Sequence, residues 1–219
     1  MILLALDTAG VDCAVAIYDS ESDVVLAEVS ETIGKGHAER LMTLVDAALD
    51  QAGKSLADLG RIAVTIGPGS FTGIRVGVAA ARGFALALGI EAVGVTTLSV
   101  LAAAHRQSGA AGNVVAVMDA KRGEVYAQVF GPDGAALTEP AELAITEACL
   151  LPGRFEAAVT GSGAPLLSGE REGSGPDHFP IALVARLGAD LASGAAKPKP
   201  LYLRAPDAKP QTGFALSRQ

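Results

Sequence analysis

The chain has no tryptophan, three tyrosines, six phenylalanines, two cysteines and three histidines among 219 residues. A core without large rings must come from small aliphatic side chains in close contact, and here half of the residues are hydrophobic and 26 are glycine. Cys13 and Cys149 have no paired spacing, which argues against a disulfide framework and for reduced thiols. Basic residues are also short: 17 Lys and Arg stand against 24 Asp and Glu, a formal net charge of -7. Unaided nucleic acid binding needs clustered cations, so RNA would require a second chain to supply the positive surface. The opening MILLALDTAG meets Asp7 after five apolar residues, so neither a secretion leader nor a membrane anchor is expected, and the protein is expected in the cytoplasm.

What is there reads as an α/β pattern. Residues 2–6, 13–18 and 24–30 form three strand-like runs separated by turn residues. From Gly36 to Ala52, Leu41, Val45, Ala48 and Ala52 recur at helical spacing, with Glu39, Thr43, Asp46 and Asp50 on the other side. RIAVTI at 61–66 and EAVGV at 91–95 read as buried strands, and a further helix is expected near 97–107. The stretch LLALDTAGVDCAVAIYDSE aligns with VVAVMDAKRGEVYAQVFGPDG, so that Asp7 and Asp119 coincide, each closing an apolar strand. Two related lobes are expected, residues 1–110 and 111–219. Within the second, SGEREGSGPDHFP at 168–180 reads as a mobile loop, 181–191 as a helix and KPKPLYLRAPDAKPQ as an extended proline-rich tail.

The most informative stretch is GPGSFTGIRVGVAAARGFALALG, residues 67–89. Its glycine spacing fits neither a P-loop nor a dinucleotide fingerprint, which leaves a tight turn with Ser70 or Thr72 capping a helix. Gly73, Gly77, Ala81, Ala85 and Gly89 recur every fourth residue as a smooth ridge, while Arg75 and Arg82 share a narrow stripe. A helix apolar nearly all round must be covered on two sides, and at about 16 residues, ~24 Å, with two arginines it is a poor membrane span. One side is expected on a sheet and the smooth ridge against another chain, so that Gly77→Leu or Ala81→Leu would weaken partner binding without unfolding the lobe.

The segments LALDTA, GPGSFTGIRVGVAAARGFALALG, TLSVLAA, DAKRGEVYAQVF and PLYLRAP, in that order, resemble the dimerization subunit of the bacterial tRNA threonylcarbamoyladenosine complex, the TsaB/YeaZ family. The resemblance implies an actin-like, sugar-kinase-like ATPase (ASKHA) fold with two duplicated lobes of mixed sheets flanked by helices. It implies a heterodimer with a related, metal-bearing threonylcarbamoyltransferase, a small ATPase subunit in the assembly, tRNA contacted only through the complex, and a homodimer when the partner is absent. Contact through the first-lobe helices makes Leu41, Val45, Gly73, Arg75, Gly77, Ala81, Arg82 and Ala85 the expected interface. The catalytic relatives carry two histidines four apart on the first long helix, whereas this chain has His37 and then Leu41, so the metal is expected only in the partner. Asp7-Thr8 and Asp119 resemble the phosphate turns of kinases of this fold and Gly161-Ser162-Gly163 its adenosine loop, but Ala9 and Ala120 stand where those kinases use glycine. A vestigial nucleotide site follows, with no cofactor of the chain's own and with ATP or ADP at the subunit interface left open. The rival expectation is a stand-alone ATPase or phosphotransferase using Asp7 and Asp119.

Overall fold

A computed structural model describes residues 1–194 and 196–204. β1 (Ile2–Asp7) pairs antiparallel with β2 (Asp12–Asp19), which pairs with β3 (Val24–Thr32). After α1 (His37–Ala52), β4 (Leu59–Gly67) returns parallel to β1, and after α2 (Phe71–Leu88), β5 (Glu91–Thr96) lies parallel to β4. The resulting sheet has the order β3-β2-β1-β4-β5. β1 is central and covered on both faces, so Leu3, Leu4, Ala5 and Leu6 form an unbroken buried run. β3 is an edge strand, and from Glu28 on it alternates between exposed and half-buried residues instead.

α3 (Thr97–Gln107) leads into a second sheet of β6 (Asn113–Lys121), β7 (Glu124–Phe130), β8 (Ala141–Ala144) and β9 (Ala157–Thr160), ordered β8-β7-β6-β9. That is the order of the first sheet without its fifth strand: β6 repeats the antiparallel and parallel pairings of β1. The repeat expected around Asp7 and Asp119 is thus a repeat of topology, and the fold class is the expected α/β arrangement of two mixed sheets flanked by helices. Between β8 and β9 stand two short helices, α4 (Ile145–Ala148) and α5 (Leu151–Phe155), where the first lobe has the 16-residue α1.

The expected division at residue 110 falls between α3 and β6, but one element that follows it in the chain packs on the first lobe. After the short α6 (Ala164–Leu167), α7 (Ile181–Asp190) packs on β1, β2 and β4 of the first sheet, not on the second. Gly188 makes this approach possible, because a Cβ there would lie 2.3 Å from the Ala63 Cβ. The buried guanidinium of Arg61 fastens the end of α7, donating from Nη1 to the carbonyls of Gly188, Ala189 and Leu191 at 3.2, 3.1 and 2.7 Å and from Nη2 to Glu91 at 2.8 Å. A cation on the last carbonyls of a helix satisfies orphan acceptors and complements the dipole. The inner face of β6, Val114, Ala116 and Met118, joins the core of the first lobe, while Val115 and Val117 face a smaller cluster with Leu166. α3 lies between the sheets and touches both.

The tail is extended where it is described. The Leu201 amide donates to the Ile66 carbonyl at 2.8 Å, Tyr202 meets α2, and Arg204 pairs with Glu124 and Glu142 at 2.7 and 2.5 Å. Residues 196–204 therefore run from the first lobe to the second, and the PDAKPQ half of the expected tail lies outside the described residues.

Candidate functional site

The two aspartate turns meet across a cleft of about 540 Å³, lined in part by Gly10, Asp119, Lys121, Ser162, Asp177 and Phe179. Asp7 ends β1 beneath it and is fully buried. One carboxylate oxygen accepts from the Ala9 amide at 3.0 Å and the Thr65 hydroxyl at 2.6 Å, while Oδ2 has no partner. Burial pushes the Asp7 carboxyl up to about 6, against the opposing pull of those donors. Thr8 turns away from the cleft and donates its hydroxyl to the Gly73 carbonyl at 2.7 Å. Beyond the turn, a Cβ at Gly10 would be 3.1 Å from the Asp177 carbonyl oxygen. The turn is thus held by α2 on one side and by residues 177–179 on the other.

On the facing lobe, Asp119 accepts from the Lys121 amide at 2.7 Å and pairs with its ammonium at 2.6 Å. The Ser162 hydroxyl accepts the Asp119 amide at 3.0 Å and donates to Asp177 at 2.5 Å, while the Ser162 amide donates to the other Asp177 oxygen at 2.7 Å. Burial holds the Asp177 carboxyl above the usual carboxylate range. Gly161 and Gly163 are used to pack the loop on β6, since Cβ atoms there would lie 2.3 Å from the Val117 carbonyl oxygen and 2.6 Å from its side chain. Of the expected nucleotide residues, Asp119 and Ser162 line the cleft; Asp7, Thr8, Gly161 and Gly163 lie behind it. Two carboxyl groups face the space, and the Lys121 ammonium is engaged with one of them, a poor field for a triphosphate.

Sequence reading missed Asp177 and Phe179. Residues 168–180 are irregular, as expected for a loop, but their second half is pinned at Ser162 and by His178, whose Nδ1 lies 2.5 Å from an Asp12 carboxylate oxygen. The run DHFP carried a signal: an acid, a ligating ring and an aromatic before proline are unusual in a loop that contacts nothing.

The second surface is built on α2. Its glycine turn is locked to the chain itself: the Ser70 amide donates to the Ala9 carbonyl at 2.7 Å, and the Thr97 hydroxyl to the Pro68 carbonyl at 2.6 Å. Ser70 caps the helix, its hydroxyl accepting from the Gly73 amide at 3.2 Å. The smooth ridge faces inward, which corrects the expected interface. A Cβ at Gly73 would lie 1.9 Å from the Thr8 carbonyl oxygen and one at Gly77 2.5 Å from the Thr8 hydroxyl, and Ala81 is fully buried. Leu41 and Val45 are likewise buried, on an α1 that packs on β2 and β3. These five residues bring helices onto the chain's own sheet, and no partner can touch them without opening the fold. Arg75 and Arg82 are exposed and Ala85 is half-buried. Arg75 donates to the Tyr202 hydroxyl at 2.7 Å and lies 3.7 Å from the Phe71 ring centre.

The outward side of α2 carries a second small ridge, Ala79, Gly83 and Ala87, all exposed, beside Leu86, which is 86% exposed. Residue 79 is about 200° round the helix from residue 77, so the two ridges stand on opposite faces. By length and composition the 18-residue helix could cross a membrane, yet its inner ridge and cap seat it on the sheet. On α1, position 41 offers no imidazole: Leu41 is in the core, and His37 Nε2 lies 3.1 Å from the Asp12 carbonyl oxygen. Among the described residues no group of three His, Cys, Asp or Glu is arranged to hold a metal ion.

The family model described as "TsaD: tRNA N6-adenosine threonylcarbamoyltransferase" matches residues 25–168. The tRNA threonylcarbamoyladenosine biosynthesis protein TsaB of Escherichia coli is 37% identical over 126 residues, 58% of this chain and 53% of that protein. The chain spans about half the length of the relatives that carry this name. An uncharacterized Mycobacterium bovis protein, Mb3455c, is 36% identical over 208 residues, 95% of this chain and 94% of its own length. Among solved structures, YeaZ from Pseudomonas aeruginosa superimposes with a TM-score of 0.68 at 30% identity, covering 86% of this chain and 90% of that one. The family model matches residues 25–168 and the YeaZ structure covers 86% of the chain at 30% identity, so the chain belongs to the family that this model describes and, specifically, to the TsaB/YeaZ family.

Proposed function

We propose that the chain acts in tRNA N6-threonylcarbamoyladenosine biosynthesis as a non-catalytic subunit, binding a TsaD-type, metal-bearing transferase through the outer faces of α1 and α2. The observation that carries this reading is the outer face of α2, where Ala79, Gly83, Leu86 and Ala87 are exposed on a helix whose other face is already seated. A contiguous apolar surface beside close-approach positions is the kind of surface that a partner helix covers. The filled turns around Asp7 and Gly161-Ser162-Gly163 support an adaptor over a phosphotransferase. In this reading the small ATPase subunit joins the assembly, tRNA is met through the complex in the cytoplasm, a second copy covers α2 when the partner is absent, and any ATP or ADP is held between subunits.

Co-expression with the TsaD-type protein and sizing of the complex tests the reading. Ala79→Glu and Ala87→Glu are expected to keep the thermal midpoint and abolish co-elution; equal co-elution of these variants and wild type overturns the interface. Calorimetry with Mg-ATP tests the rival: no turnover is expected from the purified chain, and turnover lost in Asp7→Asn would establish the phosphotransferase instead.

A further inference from the structure

At the far end of α2 from the cleft lies a groove of about 570 Å³ between the last turns of the helix and the tail. Ala85, Leu86, Ile90 and Pro198 give it apolar walls, and Arg82 and Lys197 stand at its rim. Both cations are exposed, and neither makes an ion pair among the described residues. The one lining carboxylate, Glu91, is fully engaged: Oε2 accepts from Arg61 at 2.8 Å and Oε1 from the Gly194 amide at 2.7 Å. No Asp or Glu occurs in residues 59–90 or 191–204, in a chain whose acidic residues outnumber its basic ones 24 to 17. The charge at this groove is therefore opposite to that of the molecule. Its tail wall is fixed in place, because Pro198 packs at Gly94 and the Leu201 amide bonds to Ile66.

We propose that this groove receives a segment of the partner protein that presents a carboxylate beside an aliphatic side chain, the aliphatic group against Leu86 and Ile90 and the carboxylate between Arg82 and Lys197. The assignment rests on reading the chain as a partner-binding subunit and names the chemistry of the contact. Charge decides the occupant. A two-fold pairing centred on the groove would bring Arg82 and Lys197 against their own equivalents, a like-charge contact, so a second copy that covers α2 in the partner's absence does so away from this end of the helix. RNA phosphates would answer the cations but leave the apolar walls and Leu86 uncovered. A protein segment bearing both groups satisfies both features, with the carboxylate steering approach and the aliphatic contact slowing release.

The test uses the full chain and the purified TsaD-type subunit, with Kd measured at 50 and 500 mM KCl. Wild type is expected to weaken as salt rises. Arg82→Glu with Lys197→Glu should raise Kd at least tenfold at low salt, Arg82→Ala with Lys197→Ala should flatten the salt dependence, and Leu86→Ser should raise Kd at both salts. If the charge reversal changes Kd less than twofold while Ala79→Glu abolishes binding, the groove assignment is overturned and the adaptor reading stands. Absence of any wild-type complex overturns that reading and the groove with it. A charge reversal that leaves the Kd for the TsaD-type subunit unchanged and instead abolishes tRNA binding by the chain alone also overturns the assignment.

Discussion

The two faces of α2 have nearly the same composition and opposite roles. Inward, Gly73, Gly77 and Ala81 let the helix press on β4 and on the turn after β1 until the Thr8 hydroxyl and the Gly73 carbonyl bond directly. Outward, Ala79, Gly83 and Ala87 touch little of the chain itself. The turns at the ends of the repeated strands show what the pressing does. At the end of β1 it contributes to full burial of Asp7; at the end of β6 the neighbours are Ser162 and the Lys121 ammonium, and Asp119 stays partly open and pairs with Lys121. Small residues permit approach, and which surface they approach is decided by the geometry of the whole lobe.

The comparison can be broken most forcefully at the inner ridge. Gly77→Leu is expected to cost about 3 kcal/mol or more in urea denaturation, because the new side chain meets Thr8 and Val64 with no room to relax. Retention of wild-type stability would show that the inner ridge is not pressed on the sheet. Next comes the pH dependence of the buried turn. Asp7 has a higher pKa folded than unfolded, so its contribution to stability is fully present below about pH 4 and lost as pH rises through about 6, a change on the order of 3 kcal/mol. Asp7→Asn should remove that component, flattening the difference in denaturation midpoint between pH 4.5 and 7.5; Asp119→Asn should leave it in place.

The outer ridge predicts a smaller change of opposite sign. Gly83 has open space where a Cβ would sit, so Gly83→Ala should stabilise the chain by about 0.5–1 kcal/mol through helix propensity. A loss of stability there would mean that the outer face is occupied within the chain. Smallest is the tail: Arg204→Ala, removing two partly exposed ion pairs, should cost at most about 1 kcal/mol and show chiefly as faster proteolysis near residues 196–204.

Much of the architecture was legible because local signals agreed. The helix from Gly36 to Ala52, the strand at 61–66 and the helix after Ser70 follow from periodicity and capping, and all form close to the expected bounds. The repeat was visible through the aspartates that end β1 and β6, since a turn after an apolar strand leaves a recognisable polar mark. Harder to read were the interface residues. Leu41, Val45, Gly73, Gly77 and Ala81 carry a pattern that says only that something packs against them, and a sheet of the same chain satisfies it as well as a partner does. Asp177, Ser162 and Phe179 join through contacts across non-adjacent segments, which no window along the chain reports.

By itself the sequence determined the strand and helix order, the small-residue character of the core and family membership, because periodicity, turn chemistry and motif order are local properties of a chain. Only the tertiary structure decided that the smooth ridge of α2 faces inward, that α7 returns to the first sheet beneath Arg61, and that Arg82 and Lys197, without an ion pair among the described residues, stand at the rim of an apolar groove beside the tail. The reason is geometric: a helix has two sides, and which one stays dry depends on where distant strands and the returning chain lie in space.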